Sequence, residues 1–280
     1  MGVAIVYVAV VLMLWHFQER IVFQPPPDAL GGPVAARQVR YHADDGVELF
    51  AYVVGECVPG STVVLAFHGN AEIARWLVPW AATVARNTRS CVMLTEFRGY
   101  DGLGGSPTYE SSSRDAQAAL AYAREAFQVE PANMVYFGHS LGTAIAVELA
   151  AVEPPRSLAL QAPFTSAREM TRRMIVPGLS GLWRFISRVH FNTLERVPLL
   201  STPVWVAHGD RDFVIPVRMG HDVYEAAAVR GDLLIIHGAG HNDVPDVGGS
   251  AYWQWLAHAI GAQQPATANP HARTQRQSAP

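Results

Sequence analysis

Hydrophobic and polar positions along the chain follow two alternating periods. Short apolar runs rich in branched side chains, which are typical of buried strands, alternate with longer segments in which apolar residues recur every three or four positions, as in helices. Strands are predicted over residues 36–41, 48–54, 61–67, 91–95, 133–137, 157–160, 203–207 and 233–236. Helices are predicted over residues 73–86, 113–127, 141–152, 217–228 and 250–260.

This alternation indicates the fold class. The first two strands flank the turn Asp44-Asp45-Gly46 and are typical of a hairpin. Most later strands are separated by helices, and such crossovers are right-handed and build a parallel sheet covered on both faces. We therefore predict an α/β fold with a mostly parallel eight-stranded sheet and helices on both faces.

One insertion interrupts the alternation of strands and helices. Residues 162–201 separate two predicted strands, although such connections are usually far shorter. The insertion contains the large apolar residues Trp183, Phe185 and Ile186. We expect it to form a small, partly helical cap with an apolar slot for an acyl group beneath it.

The two ends differ in composition from the middle. Val3–Trp15 is apolar, no basic residue precedes it, and no small-x-small cleavage site follows it. These features favour an uncleaved membrane anchor over residues 1–24 rather than a signal peptide, with the side of the membrane left open. The domain would then occupy residues 25–262, beginning at the stiff Pro25-Pro26-Pro27 spacer. Residues 263–280 are rich in Gln, Pro, Ala and Ser and are predicted to be a disordered tail.

Composition and charge exclude several classes of protein. Half of the 280 residues are hydrophobic, so the chain can bury a large core, and its net charge of −3 does not favour a nucleic-acid partner. The two cysteines, Cys57 and Cys91, are too few for a disulfide scaffold. Because Cys91 opens an apolar run, we expect both to be unpaired core residues.

The segment Gly138-His139-Ser140-Leu141-Gly142 has the form G-x-S-x-G. A predicted strand enters it and a predicted helix leaves it, as in the sharp turn that presents a nucleophilic serine above a sheet edge. The N–H groups and dipole of the following helix point at the same place. We therefore predict that Ser140 is a nucleophile.

A serine nucleophile needs a histidine base and a carboxylate that orients the base, in the chain order Ser, acid, His. The acid is expected at Asp212, just past the strand 203–207, with Asp210 as its rival. The base is expected at His241 in a glycine-flanked loop after the last strand, with His237 as the weaker candidate.

A tetrahedral intermediate also needs donors for its negative oxygen. We expect these to be the backbone N–H groups of Leu141, which follows the nucleophile, and of Asn70, which follows the strand 61–67. His68 is interpreted as a residue that shapes this loop and not as a base. No H-E-x-x-H occurs and the cysteines are isolated, so neither a metal nor a cofactor is predicted.

Taken together, six segments resemble the α/β-hydrolase family: HGNAE, FRGYDGLGGSP, GHSLG, APFTS, HGDRDFVIP and GAGHND. They are most similar to a branch of small-cap, membrane-anchored members called serine-aminopeptidase-like, in which some eukaryotic relatives remove palmitate from proteins. The resemblance implies Ser140, Asp212 and His241 as the triad. Glu96 and Asp101 depart from the usual Asp and Gly, and we expect both near the mouth of the site.

The expected activity is hydrolysis of a carboxylic ester or thioester, in a small-molecule or acylated substrate, through an acyl-enzyme. A serine peptidase or an acyltransferase of the same fold is the alternative. A non-catalytic, membrane-tethered binding protein is a third possibility, but such proteins usually lack a triad member and all three are found here. A dehalogenase or epoxide hydrolase would have Asp in place of Ser140.

Overall fold

The computed structural model describes residues 2–27, 34–174 and 187–261, and within these ranges eight strands form one sheet. The strands in chain order are β1 Arg37–His42, β2 Glu48–Val54, β3 Val63–Phe67, β4 Cys91–Thr95, β5 Met134–His139, β6 Ser157–Gln161, β7 Val204–Gly209 and β8 Arg230–Ile236. Their order across the sheet is β1-β2-β4-β3-β5-β6-β7-β8.

Strand directions agree with the sequence pattern. The β1–β2 hairpin and the β2–β4 pair are antiparallel, and the other neighbours are parallel. Every residue of β3, β4, β5 and β6 is buried, which explains why the middle of each strand is apolar on both faces. The predicted eight-stranded, mostly parallel sheet is confirmed.

Helices lie on both faces of the sheet. They are α1 Gly2–Val22, α2 Val78–Thr88, α3 Tyr109–Phe127, α4 Leu141–Val152, α5 Ala167–Met174, α6 Thr193–Arg196, α7 Val217–Ala226 and α8 Val244–Ile260, with a kink in α8 at Gly249. Apolar residues of α3, α4 and α7 pack in the core on one face, and those of α2 and α8 pack on the other.

The start of α3 differs from the prediction, which placed it at residue 113. The Thr108 side chain accepts a hydrogen bond from the Ser111 N–H, and the Ser111 side chain accepts one from the Thr108 N–H. This reciprocal cap allows the helix to begin four residues earlier, at Tyr109. In such a cap the third helical residue is usually Glu or Gln. Here it is Ser111, so the cap is easily missed in the sequence.

The predicted membrane anchor is wrong. In the described part of the chain, no helix is both long enough and apolar enough to cross a membrane. The apolar part of α1 ends at Trp15, so it spans only about 20 Å against a bilayer core of roughly 30 Å. The last turns of α1 carry polar side chains, and one of these, Gln18, is fully buried against the rest of the protein.

The prediction of two unpaired cysteines is also wrong. Cys57 and Cys91 form a disulfide, with their Cα atoms 5.0 Å apart. The sheet register explains the pairing, because Val54 at the end of β2 lies opposite Val92 in β4. The chain that leaves β2 therefore passes beside Cys91. The sequence separates the two residues widely, and only strand pairing brings them together.

The predicted cap is described only in part. Within residues 162–201, the structure describes 162–174 and 187–201, which contain α5, α6 and the buried residues Val189 and Phe191. The apolar residues Trp183, Phe185 and Ile186 and the predicted tail 263–280 lie outside the described residues.

Candidate active site

Ser140 lies at the sharp turn between β5 and α4. Its backbone has φ +52° and ψ −116°, a conformation that costs an ordinary residue of order 1–3 kcal/mol and is typically retained at functional sites. The glycines beside it allow close packing, because a Cβ on Gly142 would collide with the Phe67 carbonyl and one on Gly138 with the Gly142 carbonyl. The geometry is that of a nucleophile elbow.

A chain of hydrogen bonds connects Ser140 to the predicted base and acid. Ser140 Oγ lies 2.9 Å from His241 Nε2, and His241 Nδ1 lies 2.6 Å from Asp212 Oδ2. The hydroxyl can donate to Nε2 while Nδ1–H donates to the carboxylate. Ser140 and Asp212 are each only 8% exposed, so the hydrogen-bonded side chains are largely withdrawn from water.

The Asp212 carboxylate is held from several sides. Its Oδ1 accepts hydrogen bonds from the backbone N–H groups of Val214 and Ile215 at 2.8 and 2.7 Å. Burial alone would raise the pKa of Asp212, but hydrogen bonds from His208 and His241 lower it below its usual range. The acid therefore stays ionised and keeps the His241 ring in one orientation.

His208 is a residue of this site that the sequence interpretation missed. It is fully buried, and its Nε2 lies 2.9 Å from the Ile215 carbonyl and 3.2 Å from Asp212 Oδ2. Its other ring nitrogen has no hydrogen-bond partner within the described ranges. The signal was its position at the end of strand β7, directly before the loop that carries the acid.

The two rival residues pair with each other instead. Asp210 accepts hydrogen bonds from His237 Nδ1 at 2.8 Å and from the Gly238 N–H at 2.7 Å. The His237 side chain is 89% exposed. This second histidine–carboxylate pair lies on the surface, and the structure brings His241 to Asp212 and not to Asp210.

The predicted oxyanion donors flank the elbow. Leu141 begins α4, so its N–H belongs to the first turn, whose N–H groups have no acceptor within the helix. The loop that carries Asn70 packs against Ser140, because a Cβ on Gly69 would lie 3.3 Å from Ser140 Cβ. Both predicted donors therefore belong to segments that adjoin the serine.

The Asn70 side chain ties this loop to the end of α1. Its Nδ2 donates to the Val22 carbonyl at 2.6 Å, and its Oδ1 accepts from the Gln24 N–H at 2.8 Å and from the Tyr100 hydroxyl at 2.9 Å. The sequence could not indicate these contacts, because residues 22–24 are distant along the chain and lie within the predicted membrane anchor.

His68 has a structural place, in agreement with the prediction. Its Nε2 lies 2.8 Å from Glu96 Oε1, and Glu96 also accepts hydrogen bonds from the Ala74 and Phe97 N–H groups. Both members of the pair are almost fully buried. Glu96 is thus a buried partner of the loop and does not line the mouth of the site, contrary to expectation.

The other departure from the family pattern, Asp101, also has a structural partner. Its Oδ2 accepts a hydrogen bond from Arg75 Nε at 2.8 Å. The Asp101 side chain is only 5% exposed. Its carboxylate therefore holds the loop that follows β4 to the 3₁₀ turn Ala74–Leu77.

Another histidine–carboxylate pair, His139 and Glu72, adjoins the serine. His139 Nδ1 is 3.0 Å from Glu72 Oε2, and His139 Nε2 is 3.3 Å from the backbone carbonyl of His241. The same Glu72 oxygen accepts the Gly69 N–H at 2.6 Å. Among the described residues, no group of three or more His, Cys, Asp or Glu side chains could hold a metal ion.

Comparison with known proteins supports the fold. A family model described as α/β-hydrolase fold matches residues 62–196. An uncharacterised protein of Mycobacterium tuberculosis, Rv2307c, is 32% identical over 249 residues, which cover 86% of each chain. Alpha/beta hydrolase domain-containing protein 17B of Homo sapiens is 28% identical over 67% of this chain and 63% of its own length.

Solved structures share the fold. The Pyrococcus furiosus esterase Pf2001 superposes with a TM-score of 0.65 at 18% identity, over 85% of this chain and 99% of its own. The Rhodococcus sp. esterase RhEst1 superposes with a TM-score of 0.60 at 17% identity, over 80% of this chain and 98% of its own. With its sheet order, its elbow and these relatives, the chain belongs to the α/β-hydrolase family.

Proposed function

We propose that this hydrolase is a serine enzyme that cleaves a carboxylic ester or thioester through an acyl-enzyme intermediate. The observation that carries the proposal is the hydrogen-bonded chain from Ser140 Oγ through His241 to Asp212, with distances of 2.9 and 2.6 Å. The left-handed backbone of Ser140 supports it, because this strained turn presents the hydroxyl at the carboxyl edge of the sheet.

In the acylation half of the reaction, Ser140 Oγ attacks the carbonyl carbon of the substrate while its proton passes to His241 Nε2. The carbonyl oxygen becomes an oxyanion, which the N–H groups of Asn70 and Leu141 would stabilise. Asp212 holds the resulting imidazolium through Nδ1 and stays ionised, as the lowered pKa of its carboxyl requires.

The intermediate then collapses and the alcohol or thiol leaves with the proton from His241 Nε2. A water molecule enters, gives a proton to the same nitrogen and attacks the acyl carbon. The second tetrahedral intermediate collapses as the bond between Ser140 Oγ and the acyl carbon breaks. His241 Nε2 returns its proton to Ser140 Oγ, and the carboxylic acid is released. In each half of the cycle, the same imidazole thus accepts one proton and then donates it.

The ester or thioester bond and the acylated small molecule are parts of the proposal. The solved structures named as esterases share this fold, and the apolar residues in the insertion 162–201 would suit an acyl chain. We also propose that the hydrolase domain occupies residues 25–262 with its cap at 162–201. A serine peptidase or an acyltransferase would use the same three side chains, so the substrate must be tested directly.

Labelling with a fluorophosphonate probe tests the nucleophile. The wild type should be labelled, Ser140→Ala should not be, and Asp212→Asn should lose about 10⁴-fold in kcat because the His241 ring loses its orientation. Asp210→Asn is the matched control and should keep its activity. A folded wild type that resists labelling would contradict the serine mechanism.

A panel of substrates tests which type of bond the enzyme cleaves. p-Nitrophenyl esters of increasing acyl length, their thioester counterparts and aminoacyl amides should be compared by kcat/KM. We expect esters or thioesters to exceed amides. Faster cleavage of aminoacyl amides would make the enzyme a peptidase, and product formation only with an added alcohol acceptor would make it an acyltransferase.

A further inference from the structure

The His139 ring lies between two groups that can only accept hydrogen bonds. Its Nδ1 faces Glu72 Oε2 at 3.0 Å and its Nε2 faces the His241 carbonyl at 3.3 Å. Glu72 is ionised at neutral pH, because its contacts with His139 and Gly69 outweigh burial and lower its pKa to about 2. Since both neighbours are acceptors, both ring nitrogens must carry protons to satisfy them, and this is possible only for the imidazolium.

The Glu72–His139 pair contacts three segments whose relative positions matter for the reaction: the oxyanion loop, the elbow and the loop that carries the base. Glu72 holds the oxyanion loop through the Gly69 N–H at 2.6 Å. His139 itself belongs to the elbow and is covalently linked to Ser140. Its other nitrogen holds the backbone of the base, and the rings of His139 and His241 lie 5.2 Å apart.

We propose that Glu72 and the charged form of His139 are positioning residues, which keep the base loop and the oxyanion loop in register with Ser140. Neither residue would touch the substrate. The inference rests on the serine-hydrolase function proposed above and adds a specific dependence on pH to it.

The groups around His139 stabilise its doubly protonated, charged form. Burial alone would lower the pKa of His139, but the Glu72 carboxylate, the His241 carbonyl and the Asp212 carboxylate raise it above its ordinary value. When His139 does lose a proton, only one N–H remains for two acceptors. The bond to the carboxylate is the stronger one, so the bond to the His241 carbonyl should be lost first. The result would be an alkaline decline in kcat with KM little changed.

Two variants and one surface control test the proposal. Glu72→Gln removes the charge at nearly constant shape and should move the alkaline decline of kcat to lower pH. His139→Gln can donate only through one amide and should lower kcat about tenfold to a hundredfold and abolish that decline. The matched control is His237→Gln, which removes the imidazole of the exposed pair with Asp210 and should keep the wild-type profile.

The outcomes separate this inference from the proposed function. A wild type that neither reacts with the fluorophosphonate probe nor cleaves esters would refute the function. Active, folded Glu72→Gln and His139→Gln enzymes with wild-type pH profiles would refute the positioning role alone. If either variant fails to fold, a ¹⁵N NMR pH titration of the wild type still decides. The His139 ring should keep both nitrogens protonated to a higher pH than an ordinary histidine, and loss of one proton at or below the ordinary histidine pKa would overturn the inference.

Discussion

Asn70 Oδ1 accepts a hydrogen bond from the Gln24 N–H at 2.8 Å, so the chain leaving α1 is bonded directly to the loop that carries a predicted oxyanion donor. The same side chain donates to the Val22 carbonyl at 2.6 Å. The side-chain amide of Asn70 thus pairs with two backbone groups on the far side of the loop. Its own backbone N–H is left to face the elbow in the proposed mechanism.

We expect Asn70→Ala to lower kcat about tenfold, because the loop loses the contacts that hold it while the predicted backbone donor is chemically unchanged. The Val22 carbonyl and the Gln24 N–H also lose their partner, which should cost about 1 kcal/mol of stability because water can reach both groups. Steady-state kinetics and urea unfolding measure the two effects. A variant with wild-type kcat would show that the tether does not affect the loop.

The end of α1 should influence the site from a distance. Phe23 is 3% exposed and its ring lies 6.4 Å from that of Phe191. Phe23→Ala should loosen residues 22–24, speed amide hydrogen exchange in the loop around Asn70 and lower kcat. Phe17→Ala is the matched control, because its ring is 39% exposed and its loss should change neither property. Equal exchange rates in the two variants would argue against this coupling.

The disulfide between Cys57 and Cys91 should contribute substantially to stability. It links residues 34 positions apart, and closing a loop of that length in the unfolded chain is worth about 3–4 kcal/mol. Cys57→Ser should therefore lower the melting temperature, and dithiothreitol should lower that of the wild type but not that of the variant. A wild type that is insensitive to the reductant would contradict this prediction.

Arg98 is a buried cation that connects two elements. Its guanidinium binds Asp115 of α3 with Nη2–Oδ1 at 2.6 Å and Asp45 of the hairpin turn with Nη1–Oδ2 at 2.6 Å. Asp115→Ala should cost about 3–5 kcal/mol, because it leaves a buried cation without its main partner. Asp44→Ala, which removes an exposed partner of Arg114, should cost at most about 1 kcal/mol by the same urea assay.

Acid should destabilise the protein partly through Glu72. The folded-state pKa of this carboxyl is about 2, below its unfolded value, so its stabilising effect is present above about pH 4.5 and is lost as the pH falls toward 2. The effect is about 3 kcal/mol at most. Unfolding free energies of the wild type and Glu72→Gln should therefore converge over this range. A difference that stays constant between pH 5 and pH 2 would contradict the assignment.

Periodicity of the sequence was sufficient for the fold class. Apolar runs and helical segments predicted eight strands and their mostly parallel arrangement, because a strand buried on both faces must be continuously apolar. It also predicted helix 141–152 to the residue, since glycines and small residues mark where a strand turns sharply into a helix. The prediction of a membrane anchor was wrong because it rested on apolar composition alone. Apolar composition alone cannot distinguish a membrane-spanning helix from a helix whose polar end packs against the rest of the protein.

The sequence by itself determined which residue types stand in the order serine, aspartate and histidine, and it placed Ser140, Asp212 and His241 in loops at one edge of the predicted sheet. Only the tertiary structure brought His241 to Asp212 and not to Asp210, paired Cys57 with Cys91, and brought Glu72 to His139 and residues 22–24 to Asn70. The physical reason is that each of these depends on strand register and on contacts between distant segments. Local pattern constrains the backbone of each element, whereas the neighbours of a side chain are set by how the elements pack.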